Sequence, residues 1–214
     1  MTVREALFAR HSFRAFLPKQ VEQEKLSAIL EAAQRSPSWA NSQPWEIFVV
    51  SGAALEKIRE GFAKKREEKA PPAPETEFPR EWTEDAKRRQ RQLGPDMERD
   101  CGEAVKNFGK QNQNFFDAPA IVYVCVDKTL SHWSLYDAGA WSQSFLLAAI
   151  EEGIGGIQAA QTVLYPDVIH QAANIPDNLK IAIGIAIGYV DRDNGINNFT
   201  SSRDPLETAV RQVE

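Results

Sequence analysis

A short stretch near the start of the sequence carries side chains of the kind that bind a phosphate. Residues 10–16 read RHSFRAF, in which two arginines four residues apart flank a histidine and a serine. A guanidinium is a planar, permanently charged fork that matches phosphate oxygens, and the serine adds a hydroxyl for the same anion. The two phenylalanines can anchor the stretch. It could hold one end of a phosphorylated cofactor, and a solvated basic turn would explain the spacing equally well.

A second stretch offers polar groups in a loop. Residues 35–46 read RSPSWANSQPWE and are dense in proline and short polar residues. A loop of this kind presents side chains that no helix or strand occupies. The amides of Asn41 and Gln43 can each donate and accept hydrogen bonds.

Local patterns predict the elements that position these stretches. Thr2 and Glu5 have the spacing of a capping box, which predicts a helix just before RHSFRAF. Ser134 with Asp137 is expected to begin a long helix in the same way. The predicted helices span about 3–9, 21–34, 53–63, 83–92, 96–108, 134–152 and 166–173, with one more from about 205. The predicted strands span about 45–50, 120–126 and 180–190.

The glycine-rich stretch GIGGIQAA at residues 153–160 does not match a dinucleotide-binding fingerprint. Its glycine spacing is wrong, and no new helix follows a strand there. We expect these glycines to let the backbone approach a flat ligand closely.

The motifs together resemble the nitroreductase family of FMN flavoproteins. The resemblance rests on RHSxRxF, on SPSxxNxQPW before a strand, on IAIGYVD, and on Arg203 within FTSSRDPLE. These motifs lie in family order and bracket almost the whole chain. The segment from about 62 to 116 is poorly covered.

The resemblance implies how FMN would be held. Arg10, Ser12 and Arg203 would bind its phosphate, with His11 as a further cofactor contact. Arg14 would reach the pyrimidine edge of the isoalloxazine and stabilise negative charge on the reduced ring. A surface ion pair is the alternative role for Arg14.

The loop and the dimer complete the site that the resemblance implies. A second subunit would contribute Pro37, Ser38 and Trp39, although Trp39 could simply pack in the interface. Backbone N–H groups of residues 158–160 would lie near the flavin N5, and Gln143 would face the flavin or be a buried, satisfied amide. The predicted cofactor-binding residues are Arg10, His11, Ser12, Arg14, Pro37, Ser38, Trp39, Asn41, Gln43, Gln143, Gln158, Ala159, Ala160 and Arg203.

The fold implied by the resemblance is α+β, with a central, mostly antiparallel sheet surrounded by helices. Two chains would intertwine as a homodimer through the long helix and a C-terminal arm. We predict a single domain over residues 1–214, with a charged helical insertion at about 64–115. This insertion could be a lid over a substrate pocket or a solvated addition.

Composition limits the other classes of function. The net charge of −5 and pI of about 5.4 disfavour binding to nucleic acid or an anionic membrane. We read no signal peptide and no membrane span, and the two separated cysteines fit a cytoplasmic location. His132 and His170 lack partners at metal-ligand spacing, so we predict no metal site.

The predicted function is reduction of nitroaromatic compounds, with quinones as alternative acceptors, by a ping-pong mechanism. NADH or NADPH would supply a hydride, and FMN rather than a catalytic side chain would carry the chemistry. The alternatives are another reductive FMN reaction of the family, such as enone reduction or dehalogenation, and a flavin-binding protein without turnover.

Overall fold

The computed structural model describes residues 1–213. Its helices are α1 (Val3–Ala9), α2 (Gln23–Ala33), α3 (Gly52–Glu67), α4 (Glu84–Cys101), α5 (Phe108–Gln113), α6 (Trp133–Glu151), α7 (Pro166–Ala173) and α8 (Leu206–Ala209). Its strands are β1 (Trp45–Ser51), β2 (Ala120–Asp127), β3 (Gly155–Gln158) and β4 (Leu179–Gly188).

Across residues 1–213 the strands form one antiparallel sheet in the order β1-β2-β4-β3. The central strand β2 sends alternate side chains into two separate cores. One core receives Ile121, Tyr123 and Cys125, and the other receives Val122, Val124 and Val126. This period of two explains why the strand is apolar throughout, since both faces of the sheet are covered. The α+β prediction is confirmed.

Helices cover the sheet on both faces. On one face, Ile58 of α3 and Ile169 of α7 are fully buried in the first core. On the other, Ile29 of α2 and Trp141 of α6 are fully buried in the second core. Burial of side chains of this size contributes about 1.5–3 kcal/mol each. These layers pack on both faces of the sheet that contains β4, and the basic stretch lies along the end of that strand.

The prediction of two separate helices over 83–92 and 96–108 is wrong, because α4 runs without a break through Pro95. A proline inside a helix removes one hydrogen bond and normally ends or kinks it. Here the turn after the proline is held by tertiary contacts, since Met97 and Cys101 pack into a third apolar cluster. Beyond α4 the chain forms a 3-10 segment.

The predicted capping role of Ser134 and Asp137 is also wrong. The long helix begins at Trp133, and the Ser134 hydroxyl donates to the Ser131 carbonyl at 2.7 Å. The Asp137 carboxylate instead accepts from the backbone N–H of Trp39 at 3.2 Å. The acidic residue therefore fixes the polar loop rather than its own helix.

The first part of the charged insertion is pinned to the body of the protein through Glu75. Its Oε2 accepts from the backbone N–H of Ile181 at 2.8 Å and lies 3.1 Å from His170 Nε2. Its Oε1 lies 3.2 Å from Lys128 Nζ. This half-buried carboxylate, with three polar partners, ties the segment that follows α3 to β4, to α7 and to the end of β2.

Candidate functional site

The basic stretch lies along the end of β4. Leu17 N donates to Tyr189 O at 2.8 Å, and Asp191 N donates to Ala15 O at 3.2 Å. The side chains of Phe13 and Phe16 are buried in the core. The stretch is therefore an anchored, strand-like segment rather than a solvated turn.

The glycines of β3 make room for this segment. A Cβ added to Gly155 would lie 2.7 Å from the Phe13 ring, and one added to Gly156 would lie 2.6 Å from Leu146 Cδ2. Both distances are shorter than packed carbon atoms allow. In this structure the space that a side chain at either position would need is filled by the protein's own apolar side chains. That the backbone here closely approaches a flat ligand stays a prediction.

Asn197 clamps the segment, and sequence reasoning did not identify it. Its Oδ1 accepts from the backbone N–H of Arg14 at 2.6 Å and of Ala15 at 3.2 Å. Its Nδ2 donates to Ala15 O at 2.9 Å and to Asp191 O at 2.8 Å. All four hydrogen-bonding positions of the amide are used, so the backbone that carries Arg14 is fixed from the far end of the sequence.

The Arg14 guanidinium is half-buried and positioned by two contacts. Its Nη1 donates to Ser12 O at 2.8 Å, and its Cζ lies 5.2 Å from the centroid of the Phe199 ring. Burial lowers the pKa of Arg14, and the neighbouring Cys101 opposes that shift. The remaining N–H groups of this side chain are suited to an anionic or carbonyl acceptor.

His11 supports the same backbone. Its Nδ1 lies 3.1 Å from Ala9 O, its Nε2 lies 3.2 Å from Asn197 O, and its ring packs on Phe13 with centroids 4.0 Å apart. The ring therefore links the end of α1 to the Asn197 turn. Its role as a direct cofactor contact stays a prediction.

The polar loop is held in one conformation by its own hydrogen bonds. Gln43 N donates to Ser38 Oγ at 2.9 Å, and Gln43 Nε2 donates to Asn41 Oδ1 at 3.1 Å. Ala40, Asn41 and Gln43 have positive φ angles of 51°, 55° and 45°. Non-glycine residues in this region cost about 1–2 kcal/mol each. Pro37, Asn41 and Gln43 are exposed, and their binding roles stay predictions.

Three exposed aromatic side chains form a cluster beside this loop. Trp39 is 69% exposed, Trp133 60% and Tyr136 73%. The rings of Trp39 and Trp133 have centroids 6.3 Å apart, and those of Trp133 and Tyr136 have centroids 6.0 Å apart. Large aromatic side chains this exposed commonly mark a binding surface.

Arg203 lies at a cavity beside α4. It donates through Nη1 to Ser201 O, Ser201 Oγ and Ser202 O at 2.9–3.0 Å. The cavity, of about 430 Å³, is lined by Trp82, by α4 and by residues 201–204. That Arg203 shares a phosphate with Arg10 and Ser12 stays a prediction.

The other predicted contacts occupy α6 and the end of β3. Gln143 is half-buried on α6, while Gln158 and Ala160 are exposed. Ala159 is buried, and its N–H donates to Gly184 O at 3.0 Å. That N–H is thus used within the sheet region and is not free for a ligand.

The titratable side chains do not gather into a metal site in the described part of the chain. Throughout residues 1–213 no three or more His, Cys, Asp or Glu side chains could hold one ion. Over the same range, no helix combines the length and apolar character needed to cross a membrane.

The sequence and the overall fold of this chain are similar to those of known nitroreductases. A family model described as the nitroreductase family matches residues 7–189. Chloronitrobenzene nitroreductase of Comamonas testosteroni is 29% identical over 208 residues, which is 92% of this chain and 91% of the relative. Nitroreductase NfnB of Mycolicibacterium smegmatis is 27% identical over 213 residues, 94% of this chain and 88% of the relative. The solved structure of an FMN and NADPH-dependent nitroreductase NfnB from Sphigopyxis sp. strain HMH is 25% identical and superposes with a TM-score of 0.91, covering 100% of both chains.

Proposed function

Because this chain belongs to the nitroreductase family, we propose that it is an FMN-containing oxidoreductase that reduces nitroaromatic compounds with NADH or NADPH. The observation that carries the proposal is the similarity, over the full length of both chains, to a solved FMN and NADPH-dependent nitroreductase. A relative of comparable length named for chloronitrobenzene supports the nitroaromatic class of acceptor.

The residues of the basic stretch fit the phosphate and ring of FMN. Arg10, His11 and Ser12 are half-buried, so their polar groups remain accessible next to an anchored backbone. Arg14 has one N–H committed to Ser12 O, which leaves further donors for the flavin edge. The exposed amides of the polar loop suit the mixed donors and acceptors of the ring and ribityl chain.

FMN, when bound, supplies the redox chemistry by passing the hydride equivalent of NAD(P)H to the acceptor. The contribution of this chain is to hold the ring and to place positive charge beside it. A guanidinium stabilises negative charge more strongly in a half-buried site than in water. No side chain need act as nucleophile or base.

We also propose that the active form is a homodimer. The polar loop of one subunit would close over the flavin of the other through Pro37, Ser38 and Trp39. Exposed apolar side chains support burial against a second copy, since Phe8 on α1 is 82% exposed and Trp39 is 69% exposed.

Absorbance of the purified protein tests the cofactor and the reaction together. Bound FMN colours the protein yellow, and anaerobic NADPH or NADH should bleach it. Addition of 4-nitrobenzoate or a chloronitrobenzene should then restore the colour. Parallel lines in double-reciprocal plots of donor and acceptor would support the ping-pong mechanism.

The acceptor class is tested by comparing nitroaromatics, quinones, enones and halophenols under the same conditions. Turnover of nitroaromatics above that of free FMN supports the proposal. Turnover restricted to enones or halophenols would reassign the reaction. Colour that persists in the presence of both donors would indicate a flavin-binding protein without turnover.

A further inference from the structure

Arg14 carries a positive charge that no carboxylate neutralises in the described part of the chain. Its guanidinium is half-buried, and burial lowers the pKa of the group. Across residues 1–213 it forms no salt bridge, whereas Arg99 of α4 pairs with Asp96 at 2.6 Å and with Asp100 at 2.7 Å. Taking a cation out of water without a counter-ion costs free energy, so another group must compensate for the lost hydration.

The ring of Phe199 is placed to compensate for it. The Arg14 Cζ lies over this ring, 5.2 Å from its centroid. An aromatic face attracts a cation within about 6 Å, and the attraction is stronger where water is excluded. Phe199 is 2% exposed, so its side of the contact is shielded from water. The ring therefore offsets part of the hydration that the guanidinium has lost.

Two elements hold the Phe199 ring in place. The residue follows directly after the 3-10 segment Gly195–Asn198. It also packs in one cluster with Met97 and Cys101 of α4. Burial raises the pKa of the Cys101 thiol, and a hydrogen bond from the backbone of Phe199 opposes that rise. The turn and the end of α4 thus fix the ring from two sides.

An aromatic ring and a carboxylate would position the Arg14 guanidinium with different consequences. A carboxylate would cancel the positive charge and occupy N–H groups in the plane of the fork. A ring attracts the cation through its π face, leaves the charge intact and takes none of the in-plane donors. One N–H is donated to Ser12 O, so the other donors of the guanidinium stay directed at an acceptor outside this contact.

We propose that Phe199 is a positioning residue that holds the uncompensated charge of Arg14 beside the bound flavin and so raises the reduction potential of FMN. The inference rests on the proposed function and adds the residue through which Arg14 is aimed. FMN gains negative charge when it is reduced, so a fixed cation beside it stabilises the reduced form more than the oxidised form. Without the ring, the guanidinium can turn towards water, and this difference becomes smaller.

The test measures the midpoint potential of bound FMN in Phe199→Leu, by anaerobic equilibration with a reference dye. Leucine keeps an apolar side chain in the buried site but has no π face. Reduced FMN should bind about tenfold more weakly relative to oxidised FMN, which lowers the midpoint potential by about 30 mV. Phe116→Leu is the matched control, because Phe116 is also 2% exposed but packs in the first core. Its potential should equal that of the wild type.

A double-substitution cycle establishes whether Phe199 acts through Arg14. Arg14→Ala alone should lower the midpoint potential. Adding Phe199→Leu to Arg14→Ala should lower it no further, because the cation that the ring positions has been removed. A residue that only supported the fold would instead lower the potential by the same amount in both backgrounds.

Fluorinated phenylalanine at position 199 gives variants that keep the shape of the ring. Fluorine withdraws electron density from the π face, so it weakens the attraction for a cation with little change in volume. The midpoint potential should fall stepwise from one to two to three fluorine atoms. Circular dichroism and FMN content, measured in parallel, establish that each variant is folded and loaded.

The outcomes separate this inference from the proposed function. An unchanged or higher potential in Phe199→Leu, an equal fall in Phe116→Leu, or an undiminished further fall in the Arg14→Ala background would overturn the role of Phe199 and leave the flavoenzyme intact. A potential that is independent of the number of fluorine atoms would also overturn it. Absence of bound FMN in the wild type would overturn both.

Discussion

Replacing Asn197 by alanine should weaken both the fold and the cofactor site. The amide makes four hydrogen bonds to backbone groups of Arg14, Ala15 and Asp191. The two carbonyl groups that accept from the Asn197 amide would each keep another donor. Ala15 O also accepts from Asp191 N, and Asp191 O also accepts from Asn194 N. The N–H groups of Arg14 and Ala15 are the ones left without an acceptor.

The magnitude follows from those two orphaned donors. A buried donor that loses its acceptor costs about 1–3 kcal/mol, and water can enter on the Arg14 side because that residue is half-buried. We expect a loss of about 2–4 kcal/mol in the free energy of unfolding. For a domain of this size, that corresponds to a fall in Tm of roughly 5–15 °C.

Urea unfolding followed by circular dichroism measures the stability, and quenching of flavin fluorescence measures the FMN dissociation constant. Asn198→Ala is the matched control, because Asn198 is the same residue type one position along and is exposed. The Asn197 variant should bind FMN at least tenfold more weakly than the control. If both variants stayed within about 0.5 kcal/mol of the wild type and bound FMN equally, the clamp would have no energetic role.

Three further substitutions test separate features. Arg14→Ala should leave FMN bound but slow its anaerobic reduction by about 100-fold, measured by stopped-flow absorbance; an unchanged rate would remove Arg14 from its role. Burial opposes the charge on Glu75, yet the N–H of Ile181 and the side chains of His170 and Lys128 hold its pKa below the ordinary value. The ionised Glu75 carboxylate therefore stabilises the fold at pH values above its pKa in the unfolded chain, about 4.3. This stabilisation is lost as the pH falls through its lower pKa in the folded protein. Urea midpoints should fall more steeply with acid in the wild type than in Glu75→Gln, and parallel curves would contradict this. Within residues 1–213 the buried Tyr123 hydroxyl has no hydrogen-bond partner, so Tyr123→Phe should keep or raise the stability by up to about 1 kcal/mol; thermal unfolding at a clearly lower temperature would contradict this.

Elements defined by local chemistry could be predicted from the sequence. α1 spans the predicted residues because the capping box of Thr2 and Glu5 acts within one turn of helix. The central strand was predicted because an apolar run of β-branched residues is typical of a strand covered on both faces. In each case the determining residues are neighbours in the sequence.

Features that depend on distant partners could not be predicted from spacing. Pro95 reads as a helix breaker, yet α4 is continuous, and Met97 and Cys101 beyond the proline pack against the C-terminal region. Asp137 has capping spacing, but its partner is the backbone of Trp39, 98 residues away. A side chain adopts the conformation of lowest free energy over all its contacts. A local sequence pattern shows only the contacts with neighbouring residues.

The site residues also differ in how far local sequence patterns could identify them. Resemblance to a family supplied Arg10, Ser12 and Arg203, whereas Asn197 had no local signal beyond an asparagine-rich turn at residues 194–198. Its role is visible once the turn is seen against the basic stretch. The assignment of individual side chains to FMN stays a prediction until binding is measured.

The bond between Asn197 and Arg14 joins residues 183 positions apart, and this has a consequence for synthesis. During synthesis, the backbone of Arg14 and Ala15 cannot be held by Asn197 until nearly all of the chain has been made. Contacts so distant in sequence close late, after the loops between them have been ordered. FMN is thus expected to bind at the end of folding. A nascent chain halted before Asn197 should lack the hydrogen bonds that fix the backbone of Arg14.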